Sequence, residues 1–324
     1  MKRIPTLALL GLATLAATLS QSAAAQTWPA KPVRMINGYA AGGGNDNIAR
    51  PIVAHLSQVF GQQVIIDNRP GANGNIGAYE VVRAAPDGYT LLFATSSQLT
   101  INPALYSMSF DPQRDLAPIV SIAMNPNAIV VHPGVPAASV KDLIAHLRAN
   151  PGKLTFASSG NGSINHLAAE LLAMITKTQM QHVPFKGAGP ALTDVVAGRV
   201  DLMTIGVPTT IAFVKAGKLR MLAVSAPKRV AALPDVPTAG EAGIAEFQVQ
   251  SGTGILAPAK TPRAIIARMN AETVKYLTSA EGSSTLGKQG LEIVASTPEE
   301  FAKNIQAETV RWAAVVKAGN IRID

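Results

Sequence analysis

Two glycine-rich segments hold most of the chemistry this sequence can do. The first is Tyr39-Ala-Ala-Gly-Gly-Gly-Asn-Asp46, after the apolar run Val33–Ile36 and before a helical pattern. The second is Ser158-Ser-Gly-Asn-Gly-Ser163, between the apolar run Leu154–Ala157 and a helix that begins at Ile164. A strand, a glycine turn and a helix start aim several backbone N–H groups at one spot. The positive end of the helix dipole then favours an anion there. Candidate contacts in the first segment are Tyr39, Ala40, Ala41, Gly42, Gly43, Asn45 and Asp46. Those in the second are Ser158, Ser159, Gly160, Gly162, Ser163 and His166. Ser163 has the place of an N-cap. For Asp46, capping is the default, with loop orientation or acceptance from a ligand amine as alternatives. His166 reads first as a loop-fixing histidine and second as a ligand contact. Thr95, Ser97 and Gln98 follow the apolar run Thr90–Ala94, where α/β sheets bind ligands. Asp201 and Thr204 lie on a further strand pattern, and Asp201 is weighed evenly between facing a cleft and capping a turn.

Catalytic signatures are missing. No G-x-S-x-G elbow and no assignable Ser/His/Asp set occurs. Asn45-Asp46 stand where a phosphate-binding loop has Lys-Ser/Thr. The first loop is not G-x-G-x-x-G, although Asp67 lies near the spacing of a dinucleotide fold, which makes that the best enzyme alternative. The histidines are scattered, and His166 with Glu170 has no matching third ligand, so no metal site is expected. With no cysteine there is no disulfide, thiolate nucleophile or lipid-modified cysteine. No cofactor is expected, and the chain reads as no enzyme.

The elements that must position these loops alternate strand and helix. Apolar runs at Val64–Ile66, Ala128–Val131, Gln181–Val183, Val200–Ile205 and Leu219–Ser225 read as strands. The spacing of Ile48, Ile52, Leu56 and Val59 predicts a helix, with Pro51 tolerable only near its first turn. Thr297, Pro298 and Glu300 predict a capped helix that ends before Gly319. Alternation of this kind implies an α/β fold with parallel sheets. Crossovers around Ser121–Asn127 and Ala226–Pro237 divide it into two lobes: residues 26–124 with 228–324, and residues 125–227. Ligand is expected in the cleft between them.

Lys2 and Arg3, the apolar run Leu7–Leu19 and Ala23-Ala-Ala25 read as an export signal over residues 1–25, cleaved before Gln26. The expected location is the periplasm. The formal charge of +8 is dispersed and the aromatic content is 5%, which argues against nucleic-acid binding.

The chain resembles the tripartite tricarboxylate transporter substrate-binding proteins, the Bug family. The resemblance runs through Trp28-Pro-Ala-Lys-Pro32, Asn68-Arg-Pro-Gly-Ala72, Pro86-Asp-Gly-Tyr-Thr-Leu91 and Asn102-Pro-Ala-Leu-Tyr106. It continues in His182-Val-Pro-Phe-Lys-Gly187, Leu233-Pro-Asp-Val-Pro-Thr238, Ala257-Pro258 and Arg311-Trp312. It implies a two-lobed periplasmic binding protein that closes like a flytrap on a small carboxylate: a di- or tricarboxylate, an amino acid or an aromatic acid. It also implies that the two glycine loops form a pincer, and that the partner is a membrane permease; a sensor kinase is the alternative. A monomer is expected. The chain departs from the family's usual pattern at Gly38-Tyr39, Asn45 and Gly252, where Pro-Phe, Thr and Trp are common. If Gly252 lines the pocket, the missing indole leaves room for a larger ligand.

Overall fold

A computed structural model describes residues 28–39, 41–42, 44–185 and 187–323. The expected export signal lies outside them, as do Ala40 and Gly43. Ten strands form one sheet: β1 Val33–Asn37, β2 Val64–Asn68, β3 Thr90–Thr95, β4 Leu116–Val131, β5 Thr155–Ser158, β6 Gln181–Pro184, β7 Leu202–Gly206, β8 Arg220–Val224, β9 Gln250–Pro258 and β10 Glu292–Ile293. The order is β2-β1-β3-β9-β4-β7-β5-β6, with β8 and β10 also paired to β4. Helices of two turns or more are α1 Gly44–Phe60, α2 Asn75–Val82, α3 Val140–Ala149, α4 Ile164–Thr176, α5 Ala188–Val196, α6 Arg263–Thr278, α7 Ala280–Gly287 and α8 Pro298–Ala318.

The sheet is mixed rather than parallel. β1, β2 and β3 run parallel, but β9 is antiparallel to both β3 and β4. The reason lies in β4, which serves both lobes. Leu116–Pro126 pairs with β9, and Asn127–Val131 pairs with β7 and β8. The first crossing is therefore one continuous strand. The return crossing is at Val249–Gln250, not in Ala226–Pro237. There Asn127 N–H donates to Val249 O, Ser225 N–H donates to Asn127 O, and Val249 N–H donates to Ser225 Oγ. Ala239, Ile244, Phe247 and Val249 are buried with Leu143 and Leu147 of α3. Burying these apolar side chains keeps residues 226–249 on the second lobe.

The two faces of the first lobe are covered differently. Ile48, Ile52 and Leu56 of α1 pack on one face with Met269 and Leu277 of α6. Ala78 and Val81 of α2 pack on the other, with Phe301 and Ile305 of α8. α8 then continues into the second lobe, where Trp312, Val315 and Val316 join the core of α3 and α4. Its start carries the expected capping box, Thr297 accepting from Glu300 N–H and Glu300 accepting from Thr297 N–H. Pro51 sits inside α1, past the first turn, because the helix begins at Gly44. No helix of the described residues is long and apolar enough to cross a membrane.

Candidate functional site

Strand directions place the loops. β4 runs with β1 and β3, since both β4 and β3 are antiparallel to β9; all three point toward the second lobe. β7 is antiparallel to β4 and β5 is parallel to β7, so both point back toward the first lobe. The ends at Asn37, Thr95, Ser158 and Gly206 therefore open on the gap between the lobes. Gly206 stands opposite Asn127, where β4 changes lobes.

The first loop is held from within by Asp46, whose side chain is fully buried. Its Oδ2 accepts Gly42 N–H at 2.9 Å and Arg50 Nε–H at 2.8 Å; its Oδ1 accepts Asn68 Nδ2–H at 3.3 Å. Burial alone would raise its pKa. The Gly42, Arg50 and Asn68 donors outweigh burial and hold the carboxylate below its ordinary range. Asp46 is thus the orienter of the loop, and Gly42 N–H is spent on it. Gly42 has φ +78°, a left-handed turn that a side chain would strain. Ala41 is exposed, and Asn45 is half-buried with Nδ2 enclosed and unpartnered.

Tyr39 closes this loop onto β3. Its hydroxyl is 2.9 Å from Thr95 Oγ1 and donates to Asn73 O at 3.2 Å; burial raises its pKa. Beneath it lies an amide network that sequence reading missed. Asn73 Nδ2–H donates to Asn102 Oδ1 at 2.7 Å, and Asn102 Nδ2–H donates to Asn75 Oδ1 at 2.6 Å. Gln98 is buried in the same place, with Nε2–H on Gly74 O at 2.6 Å. Ser97 is half-buried and opens a π-helical turn, Ser97–Ile101. The signal was present in Asn68-Arg-Pro-Gly-Ala-Asn-Gly-Asn75, a run of turn residues. Nothing local tied it to Asn102.

The second loop is clamped by two histidines. Ser158 is fully buried; its Oγ accepts Gly160 N–H at 3.1 Å and lies 2.6 Å from His182 Nε2. No reactant reaches so buried a hydroxyl, so this Ser–His pair is structural. Gly162 N–H donates to His166 Nδ1 at 3.2 Å. That leaves the His166 proton on Nε2, 3.7 Å from Glu170 Oε1. Burial, with His166 adding to it against the pull of Glu170, lowers the His182 pKa to about 4. Both glycine N–H groups expected as ligand donors are therefore used inside the loop. Ser163 caps α4 through His166 N–H.

The opening amides of α1 and α4 lie beside these loops. The first amides of a helix have no acceptor within it, and in α4 only that of His166 is taken by the cap. Asn165, which sequence reading passed over, fixes the start of α4. Its Oδ1 accepts Ser159 Oγ–H at 2.7 Å, and its Nδ2–H donates to Thr204 O at 2.7 Å. Thr204 is fully buried, with its hydroxyl donated to Asn165 O, and so braces α4 rather than lining the gap. Asp201 is corrected outright. It precedes β7 at the end remote from the gap, about 16 Å from Gly206 at strand rise. Its Oδ2 accepts Thr155 N–H and Oγ1–H at 2.7 and 2.8 Å.

A cavity of about 710 Å³ lies elsewhere, beneath α8. Neither glycine loop lines it; Gly252 does. A Cβ on Gly252 would stand 2.6 Å from Met124 Sδ. Met124 occupies space an indole would need, and Gly252 borders this cavity. Among the described residues no group of His, Asp and Glu side chains is placed to hold a metal ion.

Known proteins share this fold. Residues 48–321 match the model of the tripartite tricarboxylate transporter family receptor. A protein encoded in the tcbD-tcbE intergenic region of Pseudomonas sp. (strain P51) is 36% identical over 306 residues, 93% of this chain and 91% of that one. An R. palustris protein solved with adipate is 35% identical, with a TM-score of 0.79 over 91% of this chain and 99% of that one. MatC from Rhodopseudomonas palustris, with bound malate, is 31% identical, with a TM-score of 0.76 over 89% and 100%. A further neighbour, the periplasmic binding protein BugD, has a TM-score of 0.75. Family and neighbours are receptors and binding proteins, not enzymes. The chain belongs to the tripartite tricarboxylate transporter family of receptors.

Proposed function

We propose that this protein captures a small carboxylate between its lobes in the periplasm and, once closed, presents it to a membrane permease. The observation that carries the reading is the pair of helix starts, α1 and α4, at strand ends that open on one gap from opposite sides. Their opening amides would hold one carboxylate. Ser97 offers a hydroxyl beside them, while those of Ser159 and Thr95 are engaged by Asn165 and Tyr39. Because the amides are fixed by Asp46 and Asn165, little ordering cost is left to binding. Binding would bridge the lobes and shift an open–closed equilibrium. Adipate and malate in solved relatives support the carboxylate class. Residues 1–25 would direct export and be cleaved near Ala25, and the receptor would act as a monomer.

A thermal-shift screen of aliphatic and aromatic carboxylates on unfolded and refolded protein tests this. A ligand at 100 times its Kd adds about 2.7 kcal/mol. A screen in which no carboxylate shifts the melt would sink the reading.

A further inference from the structure

Under α8, at the crossing strands, lies the cavity of about 710 Å³, within the range of small-molecule sites. Its floor is β9 and β4. Gly252 and Gly254 present no side chain there, and Met124 and Ser121 stand beside them. One wall is α8, with Phe301, Asn304, Ile305 and Glu308. The other is Phe247 with Gln248 of the second lobe, next to the return crossing. The hollow exists because α8 must pass from one lobe to the other. Held at Phe301 by the first lobe and at Trp312 by the second, it bridges a floor on which Phe301 closes over Gly254 and Met124 over Gly252.

The lining specifies an occupant. Glu308 and Arg311 pair with each other at 2.6 Å, which balances their charges, and Arg311 Nε–H is enclosed as a donor without a partner. Glu292 is a further carboxylate on the rim, which repels an anion. The rest is apolar or neutral: Met124, Phe247, Ile293 and Phe301, with the buried Ser121 hydroxyl lacking any protein partner. We propose that this hinge cavity is a second ligand site, for an uncharged, largely apolar small molecule bearing a hydrogen-bond acceptor. It is independent of the carboxylate gap in position and in chemistry.

The test uses the full chain and the neutral fluorophore 6-propionyl-2-(dimethylamino)naphthalene, whose ketone is the acceptor. Emission is expected to shift blue and saturate at one probe per chain. Asn304 is half-buried and makes no side-chain hydrogen bond on the helix wall, so Asn304→Phe and Asn304→Trp fill the cavity without removing a native contact. Each should weaken the probe by at least about tenfold, a loss of about 1.4 kcal/mol, with a melting temperature close to that of the parent. Asp201→Asn, remote from both sites, should bind the probe like the parent. Non-saturable emission overturns the proposal. So does undiminished binding in both folded Asn304 variants, or competitive displacement of the probe by a carboxylate that binds the gap. Carboxylate binding is read in a separate titration, so a failure there leaves this result standing.

Discussion

His166 and His182 stack with ring centroids 3.8 Å apart and planes 14° from parallel, and Phe156 lies 4.8 Å beyond His182. Through this stack both glycines of the second loop are tied to one wall, Gly162 by His166 and Gly160 by way of Ser158 and His182. Gly162 is held only while His166 Nδ1 can accept, and Gly160 is held by Ser158 Oγ, which rests against His182.

Acid should therefore loosen the protein in a defined window. His182 titrates at about 4 when folded, against an ordinary value of 6.5. Between those values the unfolded chain binds a proton that the folded chain refuses, so stability falls as pH drops from about 6.5 toward about 4 and gains no further slope from this group below that. His166 and Glu170 face the same ring, so the comparison is with His182→Gln, which does not titrate. Melting temperatures of both proteins across pH 4 to 7 should diverge, the variant having the shallower slope. Coincident slopes would remove His182 as the responsible group.

Asp46 makes a second prediction. Asp46→Ala takes the acceptor from Gly42 N–H and the weaker of two acceptors from Asn68 Nδ2, which keeps Tyr39 O, and empties the enclosed place of the carboxylate. Unpaired buried donors cost about 1–3 kcal/mol, and a loss near 2 kcal/mol is expected as a lower urea midpoint at unchanged slope. Carboxylate affinity should fall with it, because the amides at the start of α1 lose their fixed direction. A stable variant with weakened binding would instead mark Asp46 as a direct ligand contact.

Local signals explain what the sequence revealed. Thr297 with Glu300, and Ser163 with the α4 amides, are pairs a few residues apart, and both caps form as the residue types require. The glycine loops were visible for the same reason. The half of β4 from Leu116 to Pro126 was not, because its partner β9 lies more than a hundred residues on, and Pro118 and Pro126 argue locally against a strand. The return crossing was misplaced because Pro and Asp residues mark turns equally well on either lobe; only the burial of Phe247 decides. The glycine amides were assigned to a ligand because nothing in sequence shows Asp46, Ser158 and His166 taking them first.

Tyr39 and Asp201 separate bracing from binding. The Tyr39 proton is used on Asn73 O and its oxygen meets Thr95, so Tyr39→Phe should cost about 1 kcal/mol and change carboxylate affinity by less than about threefold. Asp201→Asn removes charge from an acceptor of the Thr155 N–H and hydroxyl, at the far end of β7. It should lower stability by about 1 kcal/mol and leave affinity unchanged in calorimetric titration. A tenfold loss of affinity in either variant, about 1.4 kcal/mol, would return that residue to the ligand's own contacts.

Asn165 gives the strongest test of how the second jaw is aimed. Its side chain joins Ser159 on the loop to the Thr204 carbonyl in the middle of β7, and its own carbonyl accepts the Thr204 hydroxyl. Asn165→Ala cuts the two side-chain links and strands the Thr204 carbonyl, at a cost of about 2 kcal/mol. The opening turn of α4 is then free to tilt, and carboxylate affinity should fall by about tenfold, or 1.4 kcal/mol. Asn165→Asp keeps the acceptor for Ser159 but turns a second oxygen on Thr204 O and adds a negative charge beside the anion. That charge gains from the helix dipole, by at most about 1 kcal/mol, and opposes the ligand directly. If the α4 amides hold the carboxylate, Asp is the weaker binder of the two variants even where it is the more stable fold. If the ligand sits elsewhere, affinity will follow stability, and Asp will bind as well as Ala or better.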